Sequence, residues 1–295
     1  MTRLERYNLR NGLIFVSPWI IGFLIFILYP IIASFYYSLT DYNILQPPRW
    51  VGLGNYRRLL EDRLFWVSLE NTLFMILFGL PMSIIGSLGV ALLLNSKVKA
   101  MSVHRTIFYL PSVIPEVAAA ILWAWILNPM HGPINTLLQN FGISGPGWLT
   151  DPTWSKPSLL LMSLWGLGAG MIMYLAGLQD VPEQLYESAK LDGAGAWHRF
   201  WCITLPMISP IIFFNLVMGL IGWFGFFTTA FIATGGGPAY STLLYALYIY
   251  QNAFIFFEMG YASALAWIFF VIVLATTLVI FKTSARWVYY GGETK

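Results

Sequence analysis

The sequence predicts an all-α polytopic membrane protein with about six transmembrane helices, and three observations predict it. Apolar residues make up 58% of the chain and charged residues only 10%, whereas a soluble globular chain carries about 25% charge. Several uncharged runs are each long enough to cross a ~30 Å hydrocarbon layer, which takes roughly 20 helical residues. The Lys and Arg residues fall unevenly on the loops between those runs. Together these exclude a soluble enzyme, a nucleic-acid binder and a disordered regulator. The net charge of +3 is too small to indicate a polyanionic partner, and the lone Cys202 excludes an internal disulfide or a cysteine-rich metal site.

The uncharged runs lie at 11–40, 71–96, 106–128 (interrupted by Glu116), 157–179, 200–257 and 259–281. They give spans at about 13–39, 71–95, 107–127, 158–178, 206–232 and 259–281. The first run is much longer than the apolar region of a signal peptide and contains Trp19 and Pro30, so it reads as a retained helix. Pro81 and Pro111 are expected to kink their helices. Gly166, Gly168 and Gly170 are expected to allow close packing in the fourth. The fifth run divides at Gly235-Gly236-Gly237-Pro238, and beyond it 243–257 reads as an aromatic-rich interfacial helix, with a seventh span as the alternative. A tail of residues 1–12 precedes the transmembrane domain 13–286, and a tail of 287–295 follows it.

With six spans, the two termini share a side with the loops near 95–106 and 179–205. That side holds Arg3, Arg6, Arg10, Lys97, Lys99, Arg105, Lys190, Arg199, Lys282, Arg286 and Lys295, eleven of the 16 basic residues. The other side holds Arg49, Arg57, Arg58, Arg63 and Lys156. By the positive-inside rule both termini are cytoplasmic, and a seventh span would place the basic tail outside.

No phosphate-binding G-x-x-x-x-G-K-[ST] loop is present, and the triple glycine runs into Pro238 in an outside loop. His104, His131 and His198 are too scattered to hold a metal, and no nucleophile sits in a G-x-S-x-G turn. Nothing catalytic is indicated.

The longest interior loop is more informative. Asp180 with Glu183 reads as a capping box, Pro182 falls in the first turn, and Gly193 stops the helix where a left-handed residue is usual. This makes a helix of about three turns outside the membrane, with Glu183, Glu187 and Lys190 on one face and small Ser188 and Ala189 allowing close approach. Trp197, Phe200 and Trp201 follow as interface residues, and Pro206 opens the next span. Two readings stand: a passive amphipathic connector lying on the bilayer, or a docking surface for another protein. Within the spans, Glu116 is expected to face the bundle interior, either lining a pathway or paired structurally. Asn215, Trp223 and Gln251 are candidate solute contacts beside it, although Trp at such positions also serves as an anchor or packing residue.

The residues Glu187-Ser188-Ala189, Asp192-Gly193-Ala194 and Ile203-Thr204-Leu205-Pro206 resemble the E-A-A…D-G-A…I-x-L-P signature of ABC-importer permeases. Gly52-Leu53-Gly54-Asn55-Tyr56, the segment 234–238 with Thr242, and Gly260-Tyr261-Ala262-Ser263-Ala264 resemble the G-L-x-N-Y, T-G-G-G-P…T and G-Y-A-S-A motifs of the sugar-type, maltose/glycerol-phosphate-like permeases. The resemblance runs from about Leu13 to Arg286. It implies a type I ABC-importer permease architecture in the cell membrane and passage of a sugar, oligosaccharide or related solute. It implies as partners a second homologous permease, two ATP-binding cassette subunits and an extracytoplasmic solute-binding protein, besides membrane lipid. ATP–Mg would sit on the partner ATPase, with no cofactor in this chain. The segment 180–206 would couple the ATPase through Glu183, Glu187, Ser188, Ala189, Asp192, Gly193, Leu205 and Pro206. A secondary transporter driven by an ion gradient is the alternative, for which paired intramembrane charges and a two-fold repeat are expected but not seen. A membrane-embedded enzyme is the third reading, and it lacks clustered catalytic groups.

Overall fold

The computed structural model describes residues 2–96 and 99–289. Lys97 and positions 290–295, which include Lys295 and most of the expected tail 287–295, lie outside the described residues. Four helices are long and apolar enough to cross a membrane: Arg3–Ser38, Arg63–Leu94, Ser209–Ala233 and Met259–Ser284. Two bent pairs, Met101–Val113 with Glu116–Ile126 and Pro152–Leu164 with Gly168–Gln179, raise the count to six when each pair is one span.

Several elements differ from the sequence reading for local reasons. The expected tail 1–12 is helical from Arg3, because Thr2 and Glu5 form a capping box: Thr2 Oγ1 accepts from the Glu5 amide at 3.3 Å and Glu5 Oε2 from the Thr2 amide at 2.8 Å. The span expected at 107–127 is broken between Val113 and Glu116, with a 95° bend. Pro115 has no N–H to donate, and its ring disfavours the helical conformation of Ile114, which is extended. The span expected at 158–178 bends by 49° across Trp165–Leu167. Pro81, by contrast, sits inside the uninterrupted Arg63–Leu94 helix. The region 243–257 forms a helix Tyr245–Tyr250 that runs into a π-helical turn Gln251–Ile255.

The chain divides into two compact units, Met1–Asp62 with Ile249–Phe270 and Arg63–Tyr248 with Val271–Lys295. In the first, the sugar-type motifs make a clasp. Thr40–Asp41 and Arg49–Trp50 pair antiparallel beyond the first span. Asn55 Nδ2 then donates to the carbonyls of Ser38 at 2.9 Å and Thr40 at 2.8 Å, satisfying the C-terminal end of that span. The Tyr56 and Ser38 hydroxyls share a 2.8 Å hydrogen bond. Gly260 donates to Tyr42 O at 3.0 Å, and a Cβ there would lie 2.1 Å from Thr40 O, so only glycine fits. Tyr261 donates to Asp62 at 2.5 Å, and Arg58 covers the Tyr261 ring while pairing with Glu258 at 2.7 Å.

In the second unit Arg63–Leu94 is the central helix, packed most extensively against Gly168–Gln179 and Ser209–Phe224. Leu88, Ala91 and Leu94 bury against Met171, Tyr174, Leu175 and Leu178, and Val181 and Ile208 complete this cluster. At the opposite end of the helix, Asn71 Nδ2 donates to the carbonyls of Tyr240 at 2.8 Å and Leu243 at 3.0 Å. Lys156 Nζ donates to Asn71 Oδ1 at 2.9 Å. The Thr234 and Thr242 hydroxyls meet at 2.7 Å and Thr242 also donates to Gly237 O at 2.6 Å, so the glycine-rich segment is a tied loop.

Candidate functional site

The loop between the fourth and fifth spans holds a helix, Glu183–Leu191, with no buried residue. Its N-cap is Pro182, without a side-chain cap; Asp180 instead closes the preceding helix, so the expected Asp180 capping box is not formed. Its C-terminus is a Schellman turn. Gly193 has φ +80°, its N–H donates to Lys190 O at 3.0 Å, and the Ala194 N–H donates to Ala189 O at 2.8 Å. The Tyr186 and Thr204 hydroxyls share a 2.9 Å hydrogen bond, tying the helix to the π-helical turn Phe200–Thr204. The loop leaves the core at Val181 and re-enters it at Ile208, with Leu205 packed on the same cluster and Pro206 in the short turn Leu205–Met207.

Exposure then shows what this rigid piece presents. Glu183, Glu187, Ser188, Asp192 and Gly193 are exposed, Ala189 is half-buried, and Leu191 and Trp197 are 90% and 74% exposed. Among the described residues, the Glu183 and Glu187 carboxylates meet no basic group within ion-pair distance. A cavity of about 950 Å³ opens between the end of the central helix, at Leu92, Asn95 and Ser96, and the connector, at Glu183, Glu187, Lys190 and Arg199. Large exposed apolar side chains of this kind mark a surface of contact with protein or membrane.

A second cavity of about 370 Å³ lies among the spans of the same unit, lined by Ser83, Ser87, Gly170, Tyr174 and Asn215. Asn215 is half-buried and its Nδ2 donates to Ile211 O at 2.9 Å, which leaves its carbonyl oxygen for a ligand. Tyr174 is 1% exposed and its hydroxyl has no hydrogen-bond partner among the described residues. The sequence reading missed Tyr174, Ser83 and Ser87. Each lies in an uncharged helix where hydroxyls carry no periodic signal, and only helix packing brings them together.

The remaining candidates fall apart. Trp223, read as a solute contact, is 9% exposed, and a Cβ on Gly79 would lie 2.3 Å from its ring. That fits the packing alternative that the sequence also offers for this tryptophan. Glu116, expected toward the bundle interior, is exposed on this chain's surface at the break in the third span, where its Oε1 accepts from Thr229 Oγ1 at 3.1 Å. Gln251 belongs to the other compact unit, at the start of the π-helical turn Gln251–Ile255.

Long apolar helices, two of them broken, with a rigid charged connector on one side, define a multi-pass membrane transport subunit. The chain belongs to the binding-protein-dependent transport system inner membrane component family, whose match spans residues 79–288. It is 45% identical to the probable ABC transporter permease protein YesP of Bacillus subtilis, over 96% of this chain and 93% of that protein. It is 37% identical to the lactose transport system permease protein LacF of Rhizobium radiobacter, over 94% of each chain. Among solved structures, a chain of a bacterial ABC transporter that imports the acidic polysaccharide alginate superimposes with a TM-score of 0.82, at 30% identity, covering 97% of this chain and 99% of that one. The chain is thus an ABC-importer permease of a binding-protein-dependent system, mostly helical, with four to six membrane helices.

Proposed function

We propose that this chain forms half of the translocation pathway for a sugar or oligosaccharide delivered by an extracytoplasmic binding protein. A second homologous permease supplies the other half, and two cytoplasmic ATP-binding cassette subunits, which carry the ATP–Mg, drive the cycle. The observation that carries this reading is the connector: an exposed helix, closed by a Schellman turn, in a segment whose two ends are rooted in the core cluster at Val181 and Ile208. A helix held that way moves the spans when a partner moves it. Glu183, Glu187, Ser188, Ala189, Asp192 and Gly193 form the docking face, and Leu205 and Pro206 transmit its displacement. The cytoplasmic side is that of the connector and both termini, in the cell membrane.

The cavity at Asn215, Ser83 and Ser87 is the polar contact for solute hydroxyls, since small-molecule sites set a few polar groups in apolar walls. Relatives named for the transport of lactose, trehalose/maltose and arabinooligosaccharides, at 30–37% identity, support this class of solute over an ion-gradient mechanism. Uptake in proteoliposomes holding the full assembly tests it. Asn215→Ala and Ser83→Ala should raise the half-saturating solute concentration about tenfold while ATPase co-purification stays at wild-type level, a loss of about 1.4 kcal/mol of binding. Unchanged uptake in both variants removes the cavity from the pathway.

A further inference from the structure

Glu116 is the lone charged residue in the stretch 106–128. It opens the helix Glu116–Ile126 at the 95° break, and it is exposed, as are Val113 before the break and Val117 after it. Thr229 Oγ1 donates to its carboxylate at 3.1 Å, and a negative side chain in a first helical turn is favoured by the helix dipole. Beside it, Ile114 and Pro115 are extended, so the backbone there leaves the helical hydrogen-bond ladder. Two independent features therefore coincide at mid-span on the surface of the chain: a carboxylate and an irregular stretch of backbone. Hydrocarbon tolerates neither. Irregular backbone at membrane depth persists only where protein buries it or water meets it, and intramembrane charges face a bundle interior or an aqueous cavity.

Resting on the importer reading above, we propose that this patch faces the water-filled solute path and that Glu116 is a fixed negative charge upon it. Its carboxylate accepts hydrogen bonds from the hydroxyls of neutral solutes and disfavours anionic ones, which makes it a specificity-determining residue at a place apart from the Asn215 cavity. An uncharged path would carry both kinds with equal ease.

The test places a cysteine at the 62% exposed Val113 in the complete transporter, with Cys202 replaced by Ser. The thiol is titrated with a cationic and an anionic methanethiosulfonate, and the preference is corrected for the intrinsic ratio of a free thiol. With Glu116 present the cationic reagent should win, and Glu116→Gln should lower that preference about tenfold, as expected for loss of one nearby charge. A thiol that reacts with neither reagent means lipid or the second permease covers the patch, and the proposal fails. Equal preference with Glu116 and with Gln also sinks it. ATP hydrolysis stimulated by the solute-loaded binding protein is measured in the same preparation. Stimulation together with an unreactive thiol discards only the placement of Glu116, whereas no stimulation in the parent transporter discards the importer reading itself.

Discussion

Gly79 and Trp223 form a lock in which one side chain exists because another is missing. The Trp223 ring occupies the space where a Cβ on Gly79 would lie, 2.3 Å from the nearest ring carbon. Gly79→Ala therefore overpacks the contact between the second and fifth spans, at a cost of about 1–3 kcal/mol. A lower thermal midpoint in detergent is the expected result, and Trp223→Leu in the same chain should recover most of it, because the two substitutions share one cavity. Gly193 is special for another reason: its φ of +80° is strained for any side chain and worst for a β-branched one. Gly193→Asn should keep the Schellman turn and ATPase binding, while Gly193→Val should insert in the membrane normally but lose the co-purifying ATPase. Equal ATPase recovery from both variants would show that the turn does not aim the connector. Gly193 was legible in the sequence because a glycine after a capped helix has a local meaning. A packing role for Trp223 is among the readings the sequence offers, but its partner Gly79 is not, because that residue lies far away in the chain and only packing reveals it.

At the scale of elements, the connector helix Glu183–Leu191 is anchored on one side and open on the other. The anchor is the hydrogen bond between Tyr186 and Thr204, and the open side holds Glu183 and Glu187. On a passive surface helix Glu187→Lys is nearly silent, since an exposed ion pair is worth about 0–1 kcal/mol. In a desolvated docking cleft, losing one member of a charge pair costs about 2–5 kcal/mol. Glu187→Lys should accordingly release the ATPase and abolish uptake, while Tyr186→Phe should keep the ATPase bound but reduce solute-stimulated hydrolysis. Wild-type hydrolysis and co-purification in both would return the segment to a bland amphipathic linker. The sequence located this element through its terminating glycine and its charge pattern, but misplaced its N-cap. Asp180 had a Glu three residues on, yet Pro182 takes the capping position and Asp180 ends the previous helix. The broken spans were hidden for a similar reason. Pro81 and Pro115 look alike in sequence, and whether a proline interrupts a helix depends on what neighbouring elements offer the freed backbone groups.

At the scale of the whole molecule the charge distribution and the long apolar helices can be tested against each other. Uncharged runs made the number of apolar elements legible, but charge counting cannot distinguish a bent span from a re-entrant pair that returns to its own side. The two possibilities differ at one loop. If Met101–Val113 with Glu116–Ile126 crosses the membrane, the segment 128–151 lies outside with the segment 40–62 and the connector inside; if that pair alone is re-entrant, 128–151 lies inside and the next pair carries the connector outside. Eleven basic residues on the inner side against five outside favour a crossing. Single cysteines at Arg57, His131 and Lys190, on a Cys202→Ser background, separate the cases. Lys156 is a poor reporter, since its amine is engaged with Asn71 and the Phe74 ring, whereas Arg57 and His131 are exposed. A membrane-impermeant maleimide added to sealed cells should label positions 57 and 131 and leave 190 unmodified until the membrane is permeabilised. Labelling at 57 with none at 131 would make the third helix pair a re-entrant loop. Labelling at 190 with none at 57 in sealed cells would reverse the orientation and put the connector where no cytoplasmic ATPase can reach it.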